Sequence, residues 1–229
     1  MSPSILVPAL LIYPLVYVVP LNLVRFQWGF KQGLAPMPPE VEEKAEAADR
    51  LTILAARFIL LTAIVLLMRA SPISPSDAGI TADNWKFAFA MGALLGLIPL
   101  SLNAMLSSNV PSKASPKNLE ARGSAASWCG LIVLGSFSDE FWRAFCIVAL
   151  IRLGSSPWLA VVIAAVFFAA PSLQTSIARA LGSASLAGVT GFLFVYTGSL
   201  LAPLTTSLIG GVAHIAQRLQ IFFFFQVRS

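Results

Sequence analysis

The chain has 229 residues, of which 57% are hydrophobic and only 11% charged, with a formal net charge of +5. An ordinary soluble domain carries roughly 25% charged residues, so this composition points to lipid rather than water as the surrounding solvent. The Lys and Arg are scattered between apolar runs instead of forming a stripe, which excludes a nucleic-acid interface and suits a basic face against anionic headgroups.

Seven apolar stretches approach the length needed to cross a hydrocarbon core, about 20 residues each. The first runs from Ile5 to Val24. It is long for the core of a signal peptide and no cation precedes it, so it reads as a retained span with no lipidation signal nearby. The segment Arg25 to Arg50 follows, with Pro36, Pro38 and Pro39 and then Glu40, Glu42 and Glu43. Pro39 suits a first helical position and the glutamates suit the positive end of the dipole, so a helix is expected to start there and run on into the second span, Leu51 to Met68.

A turn-rich loop, Arg69 to Asn84, leads to the third stretch, Trp85 to Leu102, and a polar loop with Lys113, Lys117 and Arg122 leads to the fourth, Ala125 to Leu150. The fifth, Pro157 to Leu173, is short. The sixth, Ile177 to Tyr196, is only moderately apolar because of Arg179, Gly182, Ser183 and Ser185. The last runs from Leu200 to Phe225 and ends in four phenylalanines that suit an interfacial anchor.

The expected fold is therefore all-α, a polytopic bundle of about seven transmembrane helices. Cations gather in loops one, three and five and in the tail, which predicts an N-terminus outside and a C-terminus in the cytoplasm, in a plasma (inner) membrane. Cys129 and Cys146 lie in apolar runs without metal-site spacing and read as buried, reduced thiols.

The fourth stretch contains Ser138-Asp139-Glu140-Phe141-Trp142-Arg143. Ionisable groups inside a span are costly and mark functional centres or wet cavities. At spacings of four and three, one Arg143 guanidinium could reach both Asp139 and Glu140. Two acids and one base would leave a net negative charge and raise at least one carboxyl pKa, making Asp139 or Glu140 a candidate general base or acid. The alternative is a self-neutralised pair that pins the helix.

These residues resemble the first motif, EExxxR, of the CPBP family, the CAAX proteases and bacteriocin-processing enzymes. The stretch from Gly188 to Pro203, with Thr197-Gly198-Ser199-Leu200-Leu201-Ala202-Pro203, is similar to that family's glycine-bearing helix and its following turn. The resemblance covers roughly Ala125 to Gly211. It implies a CPBP-like helical core over residues 123–229, behind an N-terminal membrane region of three spans over residues 1–122. It also implies descent from intramembrane endopeptidases in which a glutamate, aided by histidine, activates water.

Aligned on Arg143, Ser138 and Asp139 stand where the two glutamates belong and Glu140 comes one place late. Pro171 and Ser207 take the places of the two histidines, and Gly211 that of the final Asn. The family implies a metal in some members, but without histidine two carboxylates would make an oxygen-only site suited to Mg²⁺ or Ca²⁺ rather than Zn²⁺. The sole histidine, His214, is three residues beyond Gly211 and about two turns from Ser207, where an interhelical hydrogen bond is its ordinary role. Thr205, Thr206 and Ser207, with Gly210 and Gly211, read as small residues that let helices approach closely.

Three functions remain open on this reading. The first is a scaffold or binding protein with weakened or lost peptidase activity, whose partners are the bilayer, other membrane proteins or peptides. The second is an active, atypical peptidase using Glu140 and Asp139 with Arg143. The third is a small transporter or channel subunit.

Overall fold

A computed structural model describes residues 3–32, 39–107, 125–174 and 176–212. Among them are seven helices and no strand: α1 (Pro3–Gln32), α2 (Pro39–Ala70), α3 (Trp85–Ser107), α4 (Ala125–Arg152), α5 (Pro157–Ala169), α6 (Ile177–Thr197) and α7 (Leu201–Val212). The helix expected to open at Pro39 and continue through the second apolar stretch is a single element. His214 and the phenylalanines at 222–225 lie outside the described residues.

Helix ends follow local chemistry. Ser156 caps α5, its hydroxyl accepting from the Leu159 backbone N–H, and Pro157 occupies the first turn, where its missing N–H costs nothing. Ser176 caps α6 in the same way through the Arg179 N–H. The α6 C-terminus closes on Gly198 at φ 64°, a left-handed position that glycine adopts without strain. Helix α5 has 13 residues, about 20 Å of rise, and a 3₁₀ segment, Ala170–Gln174, extends it to about 30 Å.

One buried cluster joins residues on both sides of the 122/123 division. Ala9, Tyr13 and Tyr17 of α1 and Leu60 and Ile64 of α2 pack with Trp142, Phe145 and Ile147 of α4, Ala160 and Ala164 of α5, and Phe194 of α6. Helix α1 is fastened directly to α4, because Trp142 donates its indole N–H to the Ala9 carbonyl at 2.7 Å.

Helix α3 packs through glycines. A Cβ on Gly92 would run into the Ala202 carbonyl of α7, and the Thr206 hydroxyl donates to the Gly92 carbonyl at 2.9 Å. The small residues of α7 thus do bring helices together. Gly211 does the same against Ile132 of α4, whereas a Cβ on Gly210 would meet nothing within 4 Å, so close approach requires glycine at 211 and not at 210.

The outer surface is strongly apolar, with Phe58, Leu66, Leu94, Val133, Trp158, Leu181 and Tyr196 exposed. So much exposed apolar surface marks a membrane or partner interface. Two stretches, Arg50–Ala70 and Ile177–Thr197, are long and apolar enough to cross a membrane by length and composition. Cys146 is buried as expected, but Cys129 is exposed, because it lies on an outward face near the start of α4.

The loop between α2 and α3 is an ordered clasp. Asp77 accepts from the backbone N–H and hydroxyl of Ser74 at 2.7 and 2.6 Å and pairs with Arg152 at 2.6 Å. Arg152 also donates to the Pro72 carbonyl. Gly79 lies so close to the α6–α7 turn that a Cβ would strike the Leu200 nitrogen and the Phe194 ring, and its carbonyl accepts from the Leu200 N–H at 2.9 Å.

Candidate functional site

The charged segment of α4 splits into two polar centres. Successive residues on a helix point about 100° apart, so Asp139 and Glu140 leave α4 toward different neighbours.

Asp139 faces the α1–α2 hairpin. The Tyr17 hydroxyl donates to its Oδ1 at 3.2 Å, and Nη1 of Arg57 lies 3.6 Å from its Oδ2. The same Arg57 nitrogen donates to the Ser138 hydroxyl at 3.4 Å, and Ser138 donates in turn to the Gly135 carbonyl. Room for this guanidinium comes from Gly135, where any Cβ would overlap it.

Glu140 faces α6 and α7. One carboxylate oxygen takes Arg143 and the other takes the Ser207 hydroxyl. Arg143 also donates to the Thr190 hydroxyl, which passes its own hydrogen to the Leu186 carbonyl. The guanidinium carbon sits 4.4 Å from the centre of the Phe168 ring, a cation–π contact. Glu140 and Arg143 are 3% and 2% exposed, so the pair is closed off.

The structure corrects the expectation that Arg143 serves both carboxylates. The four-residue spacing from Asp139 allows it, but Arg143 turns with Glu140 toward Thr190, and Asp139 finds Arg57 instead. The cluster therefore holds two acids and two bases, not an excess of negative charge. Sequence reasoning missed Arg57, although an arginine inside the run Leu51 to Met68 is the same signal that singled out Asp139 and Glu140. Tyr17 and Thr190 gave no comparable signal, since an interfacial tyrosine or a helical threonine is commonplace.

The motif segments converge. Position 207 of α7 reaches Glu140, and Phe168, three residues before Pro171, reaches Arg143. Residues 122–206 match the family model described as type II CAAX prenyl endopeptidase Rce1-like. The resemblance to the CAAX proteases is thus shown for that segment. Neither the curated proteins nor the solved structures include a match.

In this CAAX-protease-like segment the motif positions meet, but the side chains there differ from those the resemblance implies. Pro171 has no group that can carry a proton, and Ser207 offers a hydroxyl that donates to Glu140. The residues also do not fit a metal. Each carboxylate already faces a guanidinium, which would repel a cation, and no group of three or more His, Cys, Asp or Glu gathers among the described residues. A general base must reach a water within about 3 Å, yet both Glu140 oxygens are engaged and buried.

Proposed function

We propose that this protein is a membrane-embedded relative of the CAAX endopeptidases that has given up hydrolysis and binds other membrane polypeptides. The observation that carries this reading is the closure of Glu140, with Arg143 on one oxygen and Ser207 on the other. Each oxygen already accepts a hydrogen bond, and at 3% exposure the carboxylate offers no open side from which a water could approach. The absence of histidine at positions 171 and 207 removes the groups that would relay the proton.

On this reading the seven helices cross or enter a plasma (inner) membrane, with the N-terminus outside and the C-terminus in the cytoplasm. Residues 1–122 form the N-terminal membrane region and 123–229 the CAAX-protease-like core. The exposed apolar residues of α2, α3, α5 and α6 support it, since they meet lipid at no cost.

A second reading keeps a peptidase with Asp139 as base. It rests on the greater openness of that carboxylate, whose side chain is 19% exposed.

The test is cleavage by the purified full chain in nanodiscs, using a peptide that ends in a prenylated CAAX sequence. The expected result is no turnover above that of Glu140→Gln. Turnover that disappears in Glu140→Gln overturns the proposal, and turnover that disappears only in Asp139→Asn establishes the second reading.

A further inference from the structure

The two ion pairs on α4 differ in kind. Glu140 and Arg143 are closely held and sealed, whereas every contact of the Arg57–Asp139 centre is long, between 3.2 and 3.6 Å. Arg57 and Asp139 are 18% and 19% exposed. The Nε atoms of Arg57 and Arg143 are both buried without a hydrogen-bond partner among the described residues, so it is exposure and contact length that set the Arg57 centre apart. A guanidinium carries five N–H donors in a fixed fork, so this centre holds unused donors, and the Asp139 carboxylate retains lone-pair directions beside them. Unused hydrogen-bonding capacity at a partly open, low-dielectric place favours a ligand that supplies the missing partners.

We propose that Arg57, Asp139 and Tyr17 form a docking site for an amide of a partner transmembrane helix. The inference rests on the binding role proposed above and names the chemistry of the partner. The pair is neutral overall. An anion would compete with Asp139 and a cation with Arg57, whereas a carboxamide offers a carbonyl oxygen to the arginine and N–H groups to the aspartate at once. Depth selects a polypeptide source. Arg57 lies seven residues into the candidate span Arg50–Ala70, about 10 Å from its end at 1.5 Å per residue. That level is within the hydrocarbon, below the headgroups of a bilayer core roughly 30 Å thick. Polar side chains of one helix bond to another at such depths because lipid offers no alternative. Tyr17 lies beside the arginine, its ring centre 5.8 Å from the guanidinium carbon.

The test uses the full chain in nanodiscs and a labelled poly-leucine transmembrane peptide with one central Asn, alongside the same peptide with Leu at that place. Resonance energy transfer should show the Asn peptide bound about three- to thirtyfold more tightly than the Leu peptide. That preference should vanish in Arg57→Met and shrink in Arg57→Lys, which keeps the charge but loses the fork. Equal affinity for the two peptides in the wild type overturns the site, as does a full preference in either variant. A variant without a thermal unfolding transition is replaced by Tyr17→Phe, judged by the same two outcomes. Cleavage of the Asn peptide would overturn the loss of hydrolysis alone, because the affinity difference is read independently of it.

Discussion

Arg57 of α2 holds Asp139 of α4 at 3.6 Å, across a gap that Gly135 leaves open for the guanidinium. The α1–α2 hairpin is thereby tied to the helix that carries the family motif. Removing one member of a buried pair leaves the other uncompensated, at a cost of about 3–5 kcal/mol when sealed. This pair is long and partly open, so Arg57→Met should cost about 1–3 kcal/mol. Arg57→Met combined with Asp139→Leu should recover most of that loss, and thermal unfolding in detergent micelles across the double-mutant cycle measures it.

Gly135→Ala places a methyl group where the Arg57 guanidinium sits. Overpacking of this kind costs about 1–3 kcal/mol. Gly130→Ala, five residues earlier on the same helix, meets nothing within 4 Å and should be neutral or stabilising by about 1 kcal/mol through helix propensity. A lower melting temperature for Gly135→Ala than for Gly130→Ala is the expected order. The reverse order would show that Arg57 does not occupy the space beside Gly135.

Ser207→Ala removes the only hydroxyl that meets Glu140 among the described residues and leaves one buried carboxylate oxygen unpaired. The expected loss is about 1–3 kcal/mol. Glu140→Gln strands the buried Arg143 charge and should cost more, about 3–5 kcal/mol. If Ser207→Ala proves as stable as the wild type, the hydrogen bond to Glu140 is not formed.

The clasp between α2 and α3 is sensitive to acid. The hydroxyl and backbone N–H of Ser74, followed by Arg152, hold the Asp77 carboxyl below its ordinary value of 3.8. A depressed folded-state pKa contributes stability above the unfolded value and loses it as the pH falls through the folded one. Protection of the amides of residues 71–84 against hydrogen exchange, corrected for intrinsic rates, should therefore be flat from pH 7 to about 5 and fall below about 4. Asp77→Asn should lower protection near neutrality and abolish its dependence on pH.

Much of this architecture could be read from patterning. The apolar stretches located all seven helices, since hydrophobic runs and the proline that opens α2 are local signals, whereas the Ser156 cap came only from the structure. The turn at Gly198 was legible only through the resemblance of Thr197 to Pro203 to the family's turn; its left-handed backbone came from the structure. The direction of each carboxylate was not legible. Spacing along α4 permits Asp139 to meet Arg143, and only the presence of α2 decides that it does not. The role of Ser207 was hidden for the same reason: a small hydroxyl on a helix marks close packing as readily as a bond to a charge brought from 67 residues away. Gly210 and Gly211 show the limit most simply. They are identical in sequence, yet an added Cβ would strike another helix only at Gly211.

The attachment of α1 and α2 to α4 also sets an order of events during synthesis. Ser138, which Arg57 touches, lies 81 residues downstream of it, and a ribosome adding about 5–20 residues per second needs roughly 4–16 s to reach it. Through that interval the arginine must wait without its aspartate. The α1–α2 pair is therefore unfinished when it is made, and the segment that resembles the proteases completes it.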